Sequence, residues 1–127
     1  EAAQGGEPQV KTVALDFDGV IHTYDKGWHD GTIYGELMPG ALESIKFLMS
    51  ECSVFIFTTR NTQQVAEWMT AKTGIMTHVD LDPERTFWNL EGRLLATNRK
   101  LAAMAYIDDR AIRFESWSQT MQDLDSL

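Results

Sequence analysis

The sequence predicts an α/β fold built on a mostly parallel sheet, and three observations carry that expectation. Short apolar runs rich in β-branched and aromatic residues alternate with segments whose apolar residues recur at helical spacing. Breakers separate them, notably Pro39-Gly40 and Gly74. Each apolar run also stops abruptly in polar residues, as strands do where their carboxyl ends face a ligand.

In chain order, KTVALDF reads as a buried strand from Lys11 to Phe17. ALESIKFLM sets Leu42, Ile45, Leu48 and Met49 on one helical face after the breaker. CSVFIF, Cys52 to Phe57, is a second short strand. TQQVAEWMTAK has Val65, Trp68 and Met69 at helical spacing, with Asn61 or Thr62 as N-cap and Gly74 as stop. PERTFWNLEG predicts a short helix. AMAYI, Ala103 to Ile107, is a third strand. Strands alternating with helices imply helices on both faces of the sheet.

At 127 residues, 43% of them apolar, the chain suits one globular domain. A net charge of −8 argues against nucleic acid, whose binders carry basic patches. A small anionic substrate needs only a local excess of donors and stays open. Cys52 is the single cysteine, which excludes an internal disulfide, and no CxxC or Cys/His cluster suggests zinc. No apolar run approaches the roughly 18 residues of a membrane span, and no signal peptide is evident, so the cytoplasm is the expected location. EAAQGGEPQ is small and polar. Residues 1–10 therefore read as a flexible segment, a linker, a tag remnant or a cut from a longer chain, ahead of a single domain over 11–127. The oligomeric state is left open.

The polar ends of the three strands carry the functional signal. They are Asp16 and Asp18, then Thr58, Thr59 and Arg60, then Asp108 and Asp109. One acid pair alone could merely terminate a strand and cap a turn. If the strands are parallel and adjacent, four carboxylates converge at one sheet edge and repel one another. A hard divalent cation with oxygen ligands, such as Mg²⁺, resolves that repulsion and leaves room for a phosphate oxygen.

DFDGVIH, VFIFTTRN and YIDDRAIRF resemble, in their usual order, three signature motifs of the haloacid dehalogenase (HAD) superfamily. The resemblance covers about Val13 to Phe114. It implies a Rossmann-like, HAD-type three-layer sandwich and a Mg²⁺-dependent phosphohydrolase. By that resemblance Asp16 is the nucleophile that forms an aspartyl-phosphate. Asp18 is the acid/base, its backbone carbonyl serving the metal. Thr58, with Thr59 after it, holds the phosphate near a helix N-terminus. Asp109 joins Asp16 and Asp18 as a metal ligand, and Asp108 acts through a water or orients its neighbour. Gly19 lets the chain turn away where a side chain would crowd the site.

The superfamily also uses a lysine that links phosphate and nucleophile. Lys100, eight residues before Asp108, is the candidate, with Arg85 and Arg99 as rivals. Lys100 reaches the site only if the chain after it runs down from the top of the sheet. The stretch HTYDKGWHDGTIYGELMPG is too short for a cap domain and suggests a short hairpin flap after the first strand. His22 and Arg60 are candidate substrate contacts, and Tyr24, Trp28 and Tyr34 could line the pocket or pack the flap's base.

The resulting expectation is a phosphatase for a small phosphomonoester. Alternatives are a HAD-like phosphate- or metal-binding domain without turnover and a polynucleotide phosphatase module of a larger protein. A two-component receiver domain would carry its adjacent acid pair on the first strand, opposite to the order here. A haloalkanoate dehalogenase would not need the second acid pair.

Overall fold

The computed structural model describes residues 11–127; the expected N-terminal segment 1–10 lies outside them. Five strands form one sheet: β1 (Thr12–Asp16), β2 (Ser53–Phe57), β3 (Thr77–Val79), β4 (Leu94–Thr97) and β5 (Ala105–Ile107). Their order is β3-β4-β2-β1-β5, and every pairing is parallel. Three helices accompany them: α1 (Ala41–Glu51), α2 (Thr62–Thr73) and α3 (Trp117–Asp125). The fold is therefore the Rossmann-like α/β arrangement that the alternating pattern predicts. Among the described residues no helix is long and apolar enough to cross a membrane.

Side-chain alternation divides the core in two. Val13, Leu15, Val54, Ile56, Leu94 and Ala96 face α1 and α2, where they meet Ile45, Val65, Ala66 and Met69. Ala14, Phe55 and Leu95 face the other way and are covered by Trp88 and Leu101. Both long helices thus share one face, and irregular chain forms the third layer. This follows from topology. The chain runs from β1 through β2 to β3 at the sheet edge in one direction, then reverses through β4 to β5, and right-handed crossovers put the reversed connections on the opposite face.

The N-cap and stop of α2 match the sequence reading. Asn61 accepts from the Gln64 N–H at 3.0 Å, and Gly74 closes the helix in the left-handed region at φ 74°. Cys52 caps α1 rather than opening β2. Strands β3 and β4 and helix α3 were not anticipated. The expected hairpin after β1 is paired only at its base, through an antiparallel bridge between His22 and Leu37 and the Thr23 N–H to Glu36 carbonyl bond of 3.0 Å. The rest of the flap is turns.

The helix expected in PERTFWNLEG does not form. Asp80 and Asp82 accept the N–H groups of Asp82 and Glu84, at 3.3 and 2.9 Å, which offers that backbone a local alternative to helix bonds. The Arg99 guanidinium takes the carbonyls of Asp82, Pro83 and Arg85. Trp88 then plugs the second face of the sheet, its carbonyl accepting from Thr12 Oγ1 at 3.1 Å.

Asp80 organises this segment. Its nearly buried carboxylate accepts from Arg85 Nε, Arg99 Nη2 and Thr97 Oγ1, each at 2.8 Å. Burial pushes the Asp80 carboxyl up, but these donors outweigh it and hold it at about 2. Its ionised form therefore supports the fold above the ordinary value of 3.8, and that support is lost as pH falls towards about 2. Asp80→Asn should lower stability by about 2 kcal/mol at neutral pH, the scale for a hydrogen bond to a charged group. It should also flatten the acid limb of a urea-denaturation pH series. Unchanged stability at neutral pH would contradict this role.

Candidate functional site

Strands β2, β1 and β5 are adjacent, so the three polar strand ends meet. Asp16 pairs with Phe57 across β1 and β2, and Leu15 with Ile107 across β1 and β5, which brings Asp108 beside Asp16 one step further on. Asp16, Asp18, Thr58, Thr59, Asp108 and Asp109 line a single cavity of about 250 Å³, together with Tyr24, Phe57 and Arg110. A larger groove of about 620 Å³ lies between flap residues 28–33 and the first half of α2. It holds none of these acids, so the chemistry belongs to the smaller cavity.

Within the cavity the acids divide into two sets. One oxygen from each of Asp16, Asp108 and Asp109 lies within 4.8 Å of the others. Burial pushes the Asp16 carboxyl up to about 6. The Phe17 N–H, 2.8 Å from Oδ1, works against that shift, and the nearby Asp108, Asp109 and Asp18 add to it. Three converging hard oxygen donors, one of them a carboxyl pushed up by burial and by its acidic neighbours, are the donor chemistry that a divalent cation satisfies. The sequence reading sets Asp108 behind Asp109; an oxygen of each lies in the cluster, and Asp108 Oδ1 also accepts the Arg110 N–H at 2.8 Å.

Asp18 stands apart. Arg60 Nε donates to both of its oxygens, at 3.0 and 2.9 Å, and His22 Nδ1 lies 2.9 Å from Oδ1. The Gly35 N–H donates to His22 Nε2 at 2.8 Å, so Nε2 is the acceptor and Nδ1 carries the proton towards Asp18. The turn after β1 bonds the Phe17 carbonyl to the His22 N–H and the His22 carbonyl to the Gly19 N–H, both at 2.8 Å. The carbonyl of Asp18 takes no part in that bridge.

Gly19 is required by two facts. Its φ is 83°, and a Cβ there would run into the Asp109 carboxylate, 2.7 Å from Cγ.

His22 and Arg60, offered by the sequence as substrate contacts, are 0% and 2% exposed. They lie beneath the cavity as supports for Asp18. Tyr34 is turned into the flap, accepting from the Lys26 N–H and donating to the Gly27 carbonyl, both at 2.9 Å. Trp28 lines the larger groove, and Tyr24 lines the acid cavity. Thr58 Oγ1 accepts from the Arg60 N–H at 3.1 Å, which leaves its O–H to donate elsewhere.

The cations are distributed differently from the sequence reading. Arg85 and Arg99 are committed to Asp80. Lys100 lies near the start of the crossover that leaves the top of the sheet, two residues, Asn98 and Arg99, separating it from β4. Its ammonium lies 5.2 Å from the centre of the Tyr106 ring, and Lys100 is not among the cavity's lining residues. Arg110 is. The sequence reading passed over it, although it directly follows the second acid pair. Asn98 was missed as well, because β4 was not recognised. It donates to the carbonyls of Thr58 and Arg60, at 2.6 and 3.0 Å, and pins the loop after β2.

No family model matches the chain, and no curated protein matches it. A solved structure of a conserved protein from Bacteroides thetaiotaomicron is similar, with a TM-score of 0.54 and 25% identity. The match covers 93% of this chain and 92% of that one. It supports the α/β fold, and that protein's description gives no activity.

Two outcomes follow for metal binding. For a divalent cation held by this cluster, a proton would compete at Asp16, so apparent Mg²⁺ affinity would fall as pH drops through about 6, approaching tenfold per pH unit for one displaced proton. Calorimetric titration on either side of that pH checks this, and a flat affinity would contradict it. Gly19→Ala should displace Asp109 and weaken Mg²⁺ binding by about 10- to 100-fold, the usual cost of disturbing a ligand's support. Wild-type affinity in that variant would show that Asp109 is not a ligand.

Proposed function

We propose that the chain is a Mg²⁺-dependent phosphohydrolase of HAD type, acting on a small phosphomonoester through an aspartyl-phosphate on Asp16. The observation that carries this reading is the division of the carboxylates. Asp16 sits with Asp108 and Asp109, while Asp18, two residues away, is held by Arg60 and His22 and kept out of that cluster. Two neighbouring carboxyl groups in different environments are suited to two different roles. The motif resemblance agrees in residue type and order, and the small acid cavity, about 250 Å³, suits a small ester.

Asp16, Asp108, Asp109 and the Asp18 carbonyl would hold the metal. Bound Mg²⁺ supplies neutralisation of the phosphoryl charge and of the acids around it. Asp16 attacks phosphorus, an O–P bond forms, and the bond from phosphorus to the leaving oxygen breaks. Asp18 gives that oxygen its proton. Asp18 then takes a proton from water, whose oxygen attacks phosphorus. The Asp16–phosphorus bond breaks, and inorganic phosphate leaves with the Asp16 carboxylate restored. The Thr58 hydroxyl and the Thr59 backbone, both on the cavity wall, are suited to the phosphate oxygens.

A panel of phosphomonoesters assayed with and without Mg²⁺ tests the reading; no Mg²⁺-dependent release of phosphate from any of them would sink it. Asp16→Asn should abolish turnover with the fold intact. Asp18→Asn should slow alkyl phosphates by about 10²-fold or more. For the phosphate-binding cation, Arg110→Ala should raise KM more than Lys100→Ala, because Arg110 lines the cavity. The reverse ranking would return the role to Lys100.

A further inference from the structure

Arg60 is a large charged side chain almost wholly removed from solvent, and its contacts run in two directions. Towards the site, Nε donates to both oxygens of Asp18. Towards the flap, Nη1 donates to the Gly31 carbonyl at 2.7 Å, and the guanidinium carbon lies 4.7 Å from the centre of the Trp28 ring and 5.8 Å from that of Tyr24. Its Nη2 is buried without a hydrogen-bond partner. An orphaned donor on a buried cation is costly, so the surroundings must compensate. The aromatic faces of two flap residues do so in part. The second support of Asp18 also reaches the flap, since His22 is held through the Gly35 N–H.

We propose that Arg60 is a positioning residue that makes the placement of the Asp18 carboxylate depend on the docked flap. Every direct side-chain support of Asp18 is fastened at its far end to residues 24–35. If Tyr24, Trp28 and the Gly31 and Thr32 carbonyls leave, the guanidinium loses its flap-side hold and Asp18 loses its fixed orientation. The flap therefore acts on the acid/base from beneath the cavity, to whose wall it contributes Tyr24. A lysine cannot replace Arg60, because one ammonium cannot span Asp18 and Gly31 with a planar fork. This inference rests on the phosphohydrolase reading, in which Asp18 handles the protons.

The test is a mutant cycle on kcat, with an aryl phosphate of good leaving group, so that Asp18→Asn retains measurable turnover. Arg60→Lys should lower kcat by about 10- to 100-fold with little change in KM. In the Asp18→Asn background it should have no further effect, the non-additivity expected of residues acting as a unit. Trp28→Ala removes an exposed side chain with small risk to folding. It should lower kcat by a smaller factor, again only while Asp18 is present. Equal losses with and without Asp18, or a Trp28→Ala variant with wild-type kcat, would overturn the inference and leave the phosphohydrolase reading standing. Wild-type protein without any Mg²⁺-dependent activity would overturn both.

Discussion

The rest of the site depends on one electrostatic constraint: four carboxyl groups are forced together at the carboxyl ends of two adjacent parallel strands, β1 and β5. Sheet register sets it, because the pairing of β1 with β2 and β5 leaves no freedom to separate the strand ends. Like charges at such distances need either a proton, a cation or a change of partner. The molecule uses the third for Asp18, which turns to Arg60 and His22. The remaining three stay together, with Asp16 pushed up to about 6 by burial and by its neighbours. Gly19 allows this, since any side chain there would displace Asp109.

The arginines are divided to match. Arg60 lies under the acid cavity and serves Asp18. Arg85 and Arg99 converge on Asp80, where they organise the irregular chain that covers the second face of the sheet. Arg110 alone of these lines the cavity. A chain of net charge −8 thus keeps much of its guanidinium charge for local pairing. That pairing leaves the cavity acidic overall, an environment that favours a bound cation before any phosphate approaches.

How much of this was legible in the sequence follows from range. Strands β1 and β2 were legible because buried parallel strands read as apolar runs and their ends as abrupt polar switches; β5 reads the same way in sequence although it lies at the sheet edge with its residues exposed or half-buried. The Asn61 cap and Gly74 stop of α2 are local signals and were read correctly. Strands β3 and β4 span three and four residues, too short to show a period. The false helix at PERTFWNLEG came from apolar spacing that serves a different end, since Trp88 fills the sheet's second face while the backbone bonds to Asp80, Asp82 and Arg99. The acids of the site could be named because each closes a strand. The roles of Arg60 and His22 could not, because Arg60 is 42 residues from Asp18 in sequence and His22 is fixed by Gly35 across the flap. Helix α3 does carry a local signal, Ser116 accepting from the Gln119 N–H, but it buries none of its residues and has no core period to confirm it.

The central claim is that Asp16 carries the phosphoryl group while its three acidic neighbours do other work. Rapid acid quenching of the protein during turnover of a phosphomonoester with Mg²⁺, followed by peptide mass spectrometry, tests it most directly. The account predicts one added phosphoryl group on the peptide containing Asp16, absent in Asp16→Asn and accumulating in Asp18→Asn when the substrate is an aryl phosphate whose leaving group needs no protonation. Turnover with no phosphorylated peptide, or with the group on another residue, would contradict it.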